Sequence, residues 1–144
     1  MSKSLISIRP FQISDETEVV ELWQICKLIM PWNNPHKDII RKKDIFPELF
    51  LVGILENHLI STIMGGYDGH RGCVNYLAVH PNFQNNGYGR DMMKFLESKL
   101  EGMGCAKINL NVRNGNDSTI QFYKNLGYTI DQSISMGKRL EHDL

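Results

Sequence analysis

Residues 76–100, YLAVHPNFQNNGYGRDMMKFLESKL, contain the transition that decides the fold. An apolar run, predicted to be a strand, passes through a polar loop with Gly87 and Gly89 and continues with apolar residues at helical spacing. The first turn of a helix leaves about four backbone N–H groups without partners and carries a partial positive charge. Glycines at that point let a phosphate approach these groups closely. The alternative is that the glycines only let the chain turn.

A second informative segment, residues 116–128, follows a strand predicted at 108–112. Its sequence NDSTIQFYKNLGY places Asn116 and Tyr123 two helical turns apart on the same face, and Gly127 where the helix should end. Taken alone, Asn116 is explained by a helix N-cap and Tyr123 by a core aromatic residue.

Composition predicts one soluble globular domain over residues 1–144, with 42% apolar and 22% charged residues. Lys plus Arg equals Asp plus Glu at 16 each, which argues against bulk electrostatic binding of nucleic acid or an anionic membrane. No apolar run is long enough to cross a bilayer and no signal peptide is recognisable, so a cytoplasmic location is predicted. The three unpaired cysteines should be reduced and buried, and the scattered histidines predict no metal site.

The remaining pattern predicts an α/β fold, a mixed sheet covered by about four helices. Glu56-Asn57 forms the expected turn of a hairpin, Ser14 the expected N-cap of the first helix, and Gly104 the expected end of the third. In order, the predicted elements are a strand at 5–8, helices at 14–30 and 35–45, strands at 49–55, 59–64 and 73–80, a helix at 87–103, a strand at 108–112, a helix at 116–126, and one or two strands from 128 onward.

Together, the two segments resemble the GNAT superfamily, the Gcn5-related N-acetyltransferases. The family's loop R/Q-x-x-G-x-G/A and its later N-x-x-x-x-x-x-Y-x-x-x-G-F/Y segment are matched here by Gln84, Gly87 and Gly89, then Asn116, Tyr123, Gly127 and Tyr128. The stretches PWNNP and MGGYDGHRG look like the small bacterial YpeA-type members. The resemblance implies a mostly antiparallel sheet in which a bulged strand splays from its neighbour.

The resemblance further implies acetyl-CoA as the acetyl donor. Main-chain groups of Leu77, Ala78 and Val79 would contact the pantetheine arm, and Asn116 would reach it from the other side. The pyrophosphate would be held by amides of Gln84, Asn85, Asn86, Gly87, Tyr88, Gly89 and Arg90.

By the same resemblance, a neutral amine attacks the thioester carbonyl directly. A backbone N–H near Leu77 would stabilise the oxyanion, and Tyr123 would protonate the departing thiolate. The base is not evident, because Asn111 stands where enzymes that acetylate a ribosomal protein's N-terminus carry a glutamate. An ordered water, Asp68 or His70 are the candidates, although both residues are also explained by turn chemistry.

Acceptor contacts are expected from the connection between the first two helices, at Trp32 and Asn33, and from Tyr67, Asp68, His70 and Asn111. Trp32 is equally explained as a cap on the core. The predicted function is cytoplasmic N-acetylation of a primary amine on a small molecule, a polypeptide N-terminus or a lysine. The alternative is a non-catalytic acetyl-CoA sensor, which would not need Tyr123, while a nucleic-acid-binding domain is disfavoured by the zero net charge. A homodimer joined through a strand at 134–140 is left open.

Overall fold

Five strands form one mixed sheet in a computed structural model that describes residues 4–143. The strands run in the order β1-β2-β3-β4-β5, the first four antiparallel and the last parallel to its neighbour. The elements are β1 (Ser7–Pro10), α1 (Glu16–Ile25), α2 (Pro35–Lys42), β2 (Phe50–Leu55), β3 (His58–Tyr67), β4 (Gly72–Val79), α3 (Tyr88–Gly102), β5 (Ile108–Asn109) and α4 (Asp117–Asn125). This arrangement confirms the predicted α/β fold with a mostly antiparallel sheet and four α-helices.

Helices pack on both faces of the sheet. Trp23 of α1 and Ile39 of α2 share a buried cluster with Met64 of β3. The next residue, Gly65, faces the opposite side because successive strand residues alternate. A Cβ at Gly65 would overlap with Leu96 of α3, so this glycine allows α3 to approach the sheet closely.

The chain divides into two compact units. Of the described residues, one unit contains 4–109 with Asp143, and the other contains 110–142. All five strands and the first three helices lie in the first unit, and α4 lies in the second. A single domain over 1–144 stays a prediction.

The prediction of strands after residue 128 is wrong. Residues 128–142 contain no strand, and apolar side chains of this stretch are exposed, among them Ile130, Ile134, Met136 and Leu140. Apolar alternation favours an extended chain, but a strand also needs a partner for its backbone hydrogen bonds, which the local sequence does not specify. The strand proposed as a dimer edge at 134–140 is therefore absent, and β5 is shorter than the predicted 108–112.

Helix ends are placed less accurately than helix cores. α1 ends at Ile25 rather than near residue 30 because Lys27 adopts φ 59°, and the N–H of Leu28 bonds to the carbonyl of Trp23. This left-handed stop normally takes glycine, so lysine gave no signal. Ser14, predicted as the N-cap of this helix, lies instead inside a short 3-10 turn that precedes α1, and α2 ends at Lys42 rather than 45.

Two predicted helix ends are confirmed. Gly104 follows α3 with φ 86° and Gly127 follows α4 with φ 95°, both in the left-handed region. The cysteine prediction is wrong in part, since Cys73 is exposed while Cys26 and Cys105 are half-buried and free of disulfides. Within residues 4–143, no helix has the length and apolar character needed to cross a membrane.

Candidate active site

Strand β4 carries a bulge in its second half. Its register with β3 runs from Thr62 opposite Ala78 to Met64 opposite Asn75, so two residues, Tyr76 and Leu77, lie opposite one residue of β3. Tyr76 adopts φ 51°, a conformation that is unusual for an aromatic residue. The predicted bulged strand is confirmed.

Buried side chains hold the bulge in place. The ring of Tyr76 stacks on Trp23 with centroids 3.7 Å apart and planes inclined by 12°. The Trp23 indole Nε1–H donates to Thr62 Oγ1 over 2.9 Å, and the Thr62 hydroxyl donates to the Tyr76 carbonyl oxygen over 2.8 Å. Because Trp23 and Thr62 are fully buried, the hydrogen bond between them is shielded from water.

Asp38 of helix α2 contributes a carboxylate that contacts Tyr76 at the bulge. The Tyr76 hydroxyl donates to Asp38 Oδ2 over 2.6 Å. Burial, followed by the hydrogen bond to Asp38, raises the pKa of the Tyr76 phenol well above its ordinary value, so the phenol is a donor at neutral pH. Sequence reasoning missed Asp38, because 38 residues separate it from Tyr76 and no local motif links them.

The other edge of β4 is only partly covered by β5. Parallel pairing is confined to Gly72 and Cys73, at the start of β4. The N–H of His80 bonds to the Ile60 carbonyl across the β3 edge. By the alternation of an antiparallel ladder, the backbone of Ala78 also points to β3, whereas that of Val79 points to the opposite edge.

Gln84 ties the glycine loop back to β4 through its side chain. Its Nε2 donates to the Val79 carbonyl oxygen over 2.9 Å, and the Cys26 thiol reaches the same oxygen at 3.3 Å. Within the loop, Asn86 Nδ2 donates to the carbonyl oxygens of Phe83 and Gln84. These contacts fix the path of the chain between the strand and α3.

The loop ends at a helix start that has no side-chain cap. Gly87 is the N-cap of α3, with φ 85°, and Asn85 two residues before it is also left-handed at φ 65°. The first-turn N–H groups at Gly89 and Arg90 have no partner inside a helix. Tyr88 turns its side chain into the core and donates to the Ser4 carbonyl oxygen, so its ring is not on the loop surface. This arrangement fits an anion such as a pyrophosphate.

In the second unit, Asn116 and Tyr123 lie on α4 as the motif predicts. The Asn116 side chain accepts from the N–H of Thr119 over 3.3 Å and is the N-cap of the helix. Tyr123 is buried beside the rings of Phe122 and Tyr128, and burial raises its pKa to about 12. Its phenol is therefore protonated at neutral pH. Asn111 is exposed in the irregular stretch before α4.

The two base candidates lie in the turn between β3 and β4, where both are exposed. Asp68 Oδ1 accepts from the N–H groups of His70 and Arg71 at 2.7 Å each, and these bonds lower the pKa of Asp68. At about 3.3 Å per strand residue, the four steps from Gly72 to Tyr76 span about 13 Å. The turn therefore holds the Asp68 carboxylate, and the exposed His70 ring lies beside Arg71, with Nδ1 3.4 Å from Arg71 Nη1.

The other acceptor candidates occupy two separate places. Tyr67, at the end of β3, donates weakly to the carbonyl oxygens of Gly69 and Gly104 at 3.3 and 3.4 Å. Trp32 is 51% exposed in the connection between α1 and α2, and the N–H of Asn33 bonds to the Met30 carbonyl. Between residues 4 and 143, no three metal-ligating side chains come together as a possible metal site.

Comparison with known proteins decides the family. The sequence pattern of the acetyltransferase (GNAT) family matches residues 17–128. The chain belongs to this family. An acetyltransferase from Yersinia enterocolitica serotype O:8 is 47% identical to this GNAT protein over 135 residues. The match covers 94% of this chain and 96% of the relative.

Solved GNAT structures agree with the fold. Ard1 from Thermoplasma volcanium superposes with a TM-score of 0.74 at 23% identity, covering 88% of this chain and 84% of Ard1. PaiA N-acetyltransferase from Thermoplasma acidophilum, in complex with coenzyme A, gives 0.70 at 18% identity, covering 90% and 93%. These structures confirm the predicted fold. The family pattern and the Yersinia relative confirm the predicted family and N-acetyltransferase class, while the YpeA-type likeness stays a prediction.

Proposed function

We propose that this GNAT protein is an acetyl-CoA-dependent enzyme that acetylates a primary amine on a small molecule or a polypeptide, in the cytoplasm. One observation supports this most directly: the bulge of β4 is followed, within the same unit, by a helix start whose N-cap is a glycine. A bulged edge offers backbone groups to an extended ligand, and an uncapped helix start offers N–H groups to phosphates. Pantetheine and pyrophosphate are the two corresponding parts of acetyl-CoA.

The donor would be held mainly by main chain. Leu77 at the bulge and Val79 beyond it would meet the pantetheine arm, with Ala78 placed between them by its pairing to β3. Amides of residues 84–90 would hold the pyrophosphate, and Asn116 would contact the arm. When bound, acetyl-CoA supplies the acetyl group as an activated thioester.

The transfer then requires three chemical roles, of which the protein's own residues fill two. The Leu77 N–H stabilises the negative charge that develops on the carbonyl oxygen as the amine attacks. Tyr123 donates its phenolic proton to the sulfur that leaves, and its raised pKa keeps that proton in place until then. An ordered water accepts the proton that the attacking nitrogen loses, since the Asp68 carboxylate already accepts two N–H groups of the turn and the exposed His70 ring lies beside Arg71.

The test is a panel of small amines and N-terminal peptides, assayed for CoA release from acetyl-CoA. With an acceptor identified, Tyr123→Phe should bind acetyl-CoA as the parent does but lose about 10²–10⁴ in kcat, the contribution of a general acid. Because the pKa of Tyr123 is about 12, the hydroxyl should not shape the rate profile near neutral pH.

Tyr128→Phe is the matched control, because it removes a hydroxyl from a neighbouring ring and the family motif accepts Phe at this position. It should keep the parent kcat. Equal rates for Tyr123→Phe and the parent would show that Tyr123 only packs. Acetyl-CoA binding without acetylation of any amine would favour the non-catalytic sensor.

A further inference from the structure

The bulge of β4 contains a residue, Tyr76, whose backbone conformation is strained. Tyr76 has φ 51°, a strained conformation for a side chain of its size that persists only when surrounding contacts over-determine it. Three contacts do so here: the stack on Trp23, the hydrogen bond from Thr62 to its carbonyl, and the hydrogen bond from its hydroxyl to Asp38. The first two act on the ring and the backbone, and only the third acts on the outer end of the side chain.

Asp38 is itself fixed at both carboxylate oxygens. Oδ2 accepts from Tyr76 and Oδ1 accepts from Arg41 Nη1 at 3.2 Å. Arg41 is held in turn by Asp143, to which its two terminal nitrogens donate at 2.8 and 2.7 Å. The Asp143 side chain is 1% exposed, and Lys37 Nζ lies 3.9 Å from it. Because these contacts fix the Asp38 carboxylate, it can restrain the position of the Tyr76 side chain.

We infer that Asp38 is a positioning residue for acetyl transfer: through the Tyr76 hydroxyl it fixes the bulge and so aims the main-chain N–H of Leu77. The inference rests on the proposed function, because it gives Leu77 the task of stabilising the developing oxyanion. A displacement of such a donor by about 1 Å can cost about 10²-fold in rate. Asp38 does this without touching either substrate.

The competing role is direct: Asp38 could take the proton from the acceptor amine. The two roles differ in what the residue must retain. A positioning residue needs an oxygen that accepts from the Tyr76 hydroxyl, which asparagine also provides. A proton acceptor needs the carboxylate charge, which asparagine lacks.

The experiment compares Asp38→Ala, Asp38→Asn, Tyr76→Phe and the double variant Asp38→Ala/Tyr76→Phe. We expect Asp38→Ala and Tyr76→Phe each to lose about tenfold to 10²-fold in kcat, with KM for acetyl-CoA little changed. Asp38→Asn should recover most of that loss. The double variant should lose no more than either single one, because both act through one hydrogen bond. Asp44→Asn, at an exposed site just after α2, is the control and should match the parent.

Losses that multiply in the double variant, or equal losses in Asp38→Asn and Asp38→Ala, would overturn the positioning role. The second result would identify Asp38 as acting through its charge. If Asp38→Ala fails to fold, Tyr76→Phe and Asp38→Asn still decide, since kcat must fall in the first and stay close to the parent value in the second.

A measurement on the ligand-free protein separates this inference from the proposed function. The ¹H–¹⁵N signal of Leu77 should shift in Asp38→Ala and Tyr76→Phe and stay near the parent position in Asp38→Asn and Asp44→Asn. Unmoved signals in the first two would contradict the inference whether or not the parent acetylates an amine. Shifted signals in a protein that neither binds acetyl-CoA nor acetylates any amine would leave the structural link standing and contradict the proposed function.

Discussion

The bulge of β4 and the glycine loop that follows it hold their shapes in opposite ways. The bulge at Tyr76 is fixed by side chains from α1, β3 and α2, two of them fully buried. The loop at 84–90 is fixed by its own exposed amide side chains and by two left-handed residues, Asn85 and Gly87. The bulge therefore depends on tertiary contacts, whereas the loop depends on local ones and lies exposed at the start of α3.

This difference predicts that buried changes at the bulge destabilise the fold most. Thr62→Val would leave two groups, the buried Trp23 indole N–H and the part-buried Tyr76 carbonyl, without this partner. At about 1–3 kcal/mol for each unsatisfied group, unfolding in urea should show a loss of about 2–6 kcal/mol. Thr17→Val, at an exposed position on α1, is the control and should change little. Equal midpoints for both variants would show that Thr62 does not hold the bulge.

A change in the loop should cost much less stability. Gln84→Ala removes one exposed hydrogen bond, from Nε2 to the Val79 carbonyl. A loss of about 0.5–1.5 kcal/mol is expected in the same urea titration. Acetyl-CoA affinity should fall only moderately, because the backbone amides remain. A loss of unfolding free energy as large as that of Thr62→Val would contradict the proposed difference between the bulge and the loop.

The smallest effects are expected at the far end of β4. Asp68→Asn and His70→Gln should each keep kcat close to the parent value once an acceptor amine is known, since both residues belong to an exposed turn. A general base typically contributes about 10²–10⁴ in rate. A loss of that size in either variant, with acetyl-CoA binding intact, would name the base and remove the ordered water from the mechanism.

The contrast also explains what sequence alone could predict. The loop and both ends of α4 are local features, so the residue type and spacing of Gly87, Asn116 and Gly127 predict them. The bulge was expected from family resemblance, but its support was not, because Asp38 meets Tyr76 only after α2 packs on the sheet. The end of α1 was also not predicted. Lys27 adopts the left-handed conformation that ends this helix, and a lysine does not indicate such a conformation in the sequence.

We propose, above all, that the exposed backbone at the start of α3 binds the pyrophosphate of acetyl-CoA. Gly89→Val tests it by placing a side chain in the first helical turn, and Gly102→Val, in open space at the other end of α3, is the matched control.

Calorimetric titration of acetyl-CoA into the parent and both variants is the most direct measurement. We predict binding to the parent and to Gly102→Val, and strongly weakened binding to a folded Gly89→Val. Unchanged affinity in folded Gly89→Val, or no binding to the parent, would contradict the account.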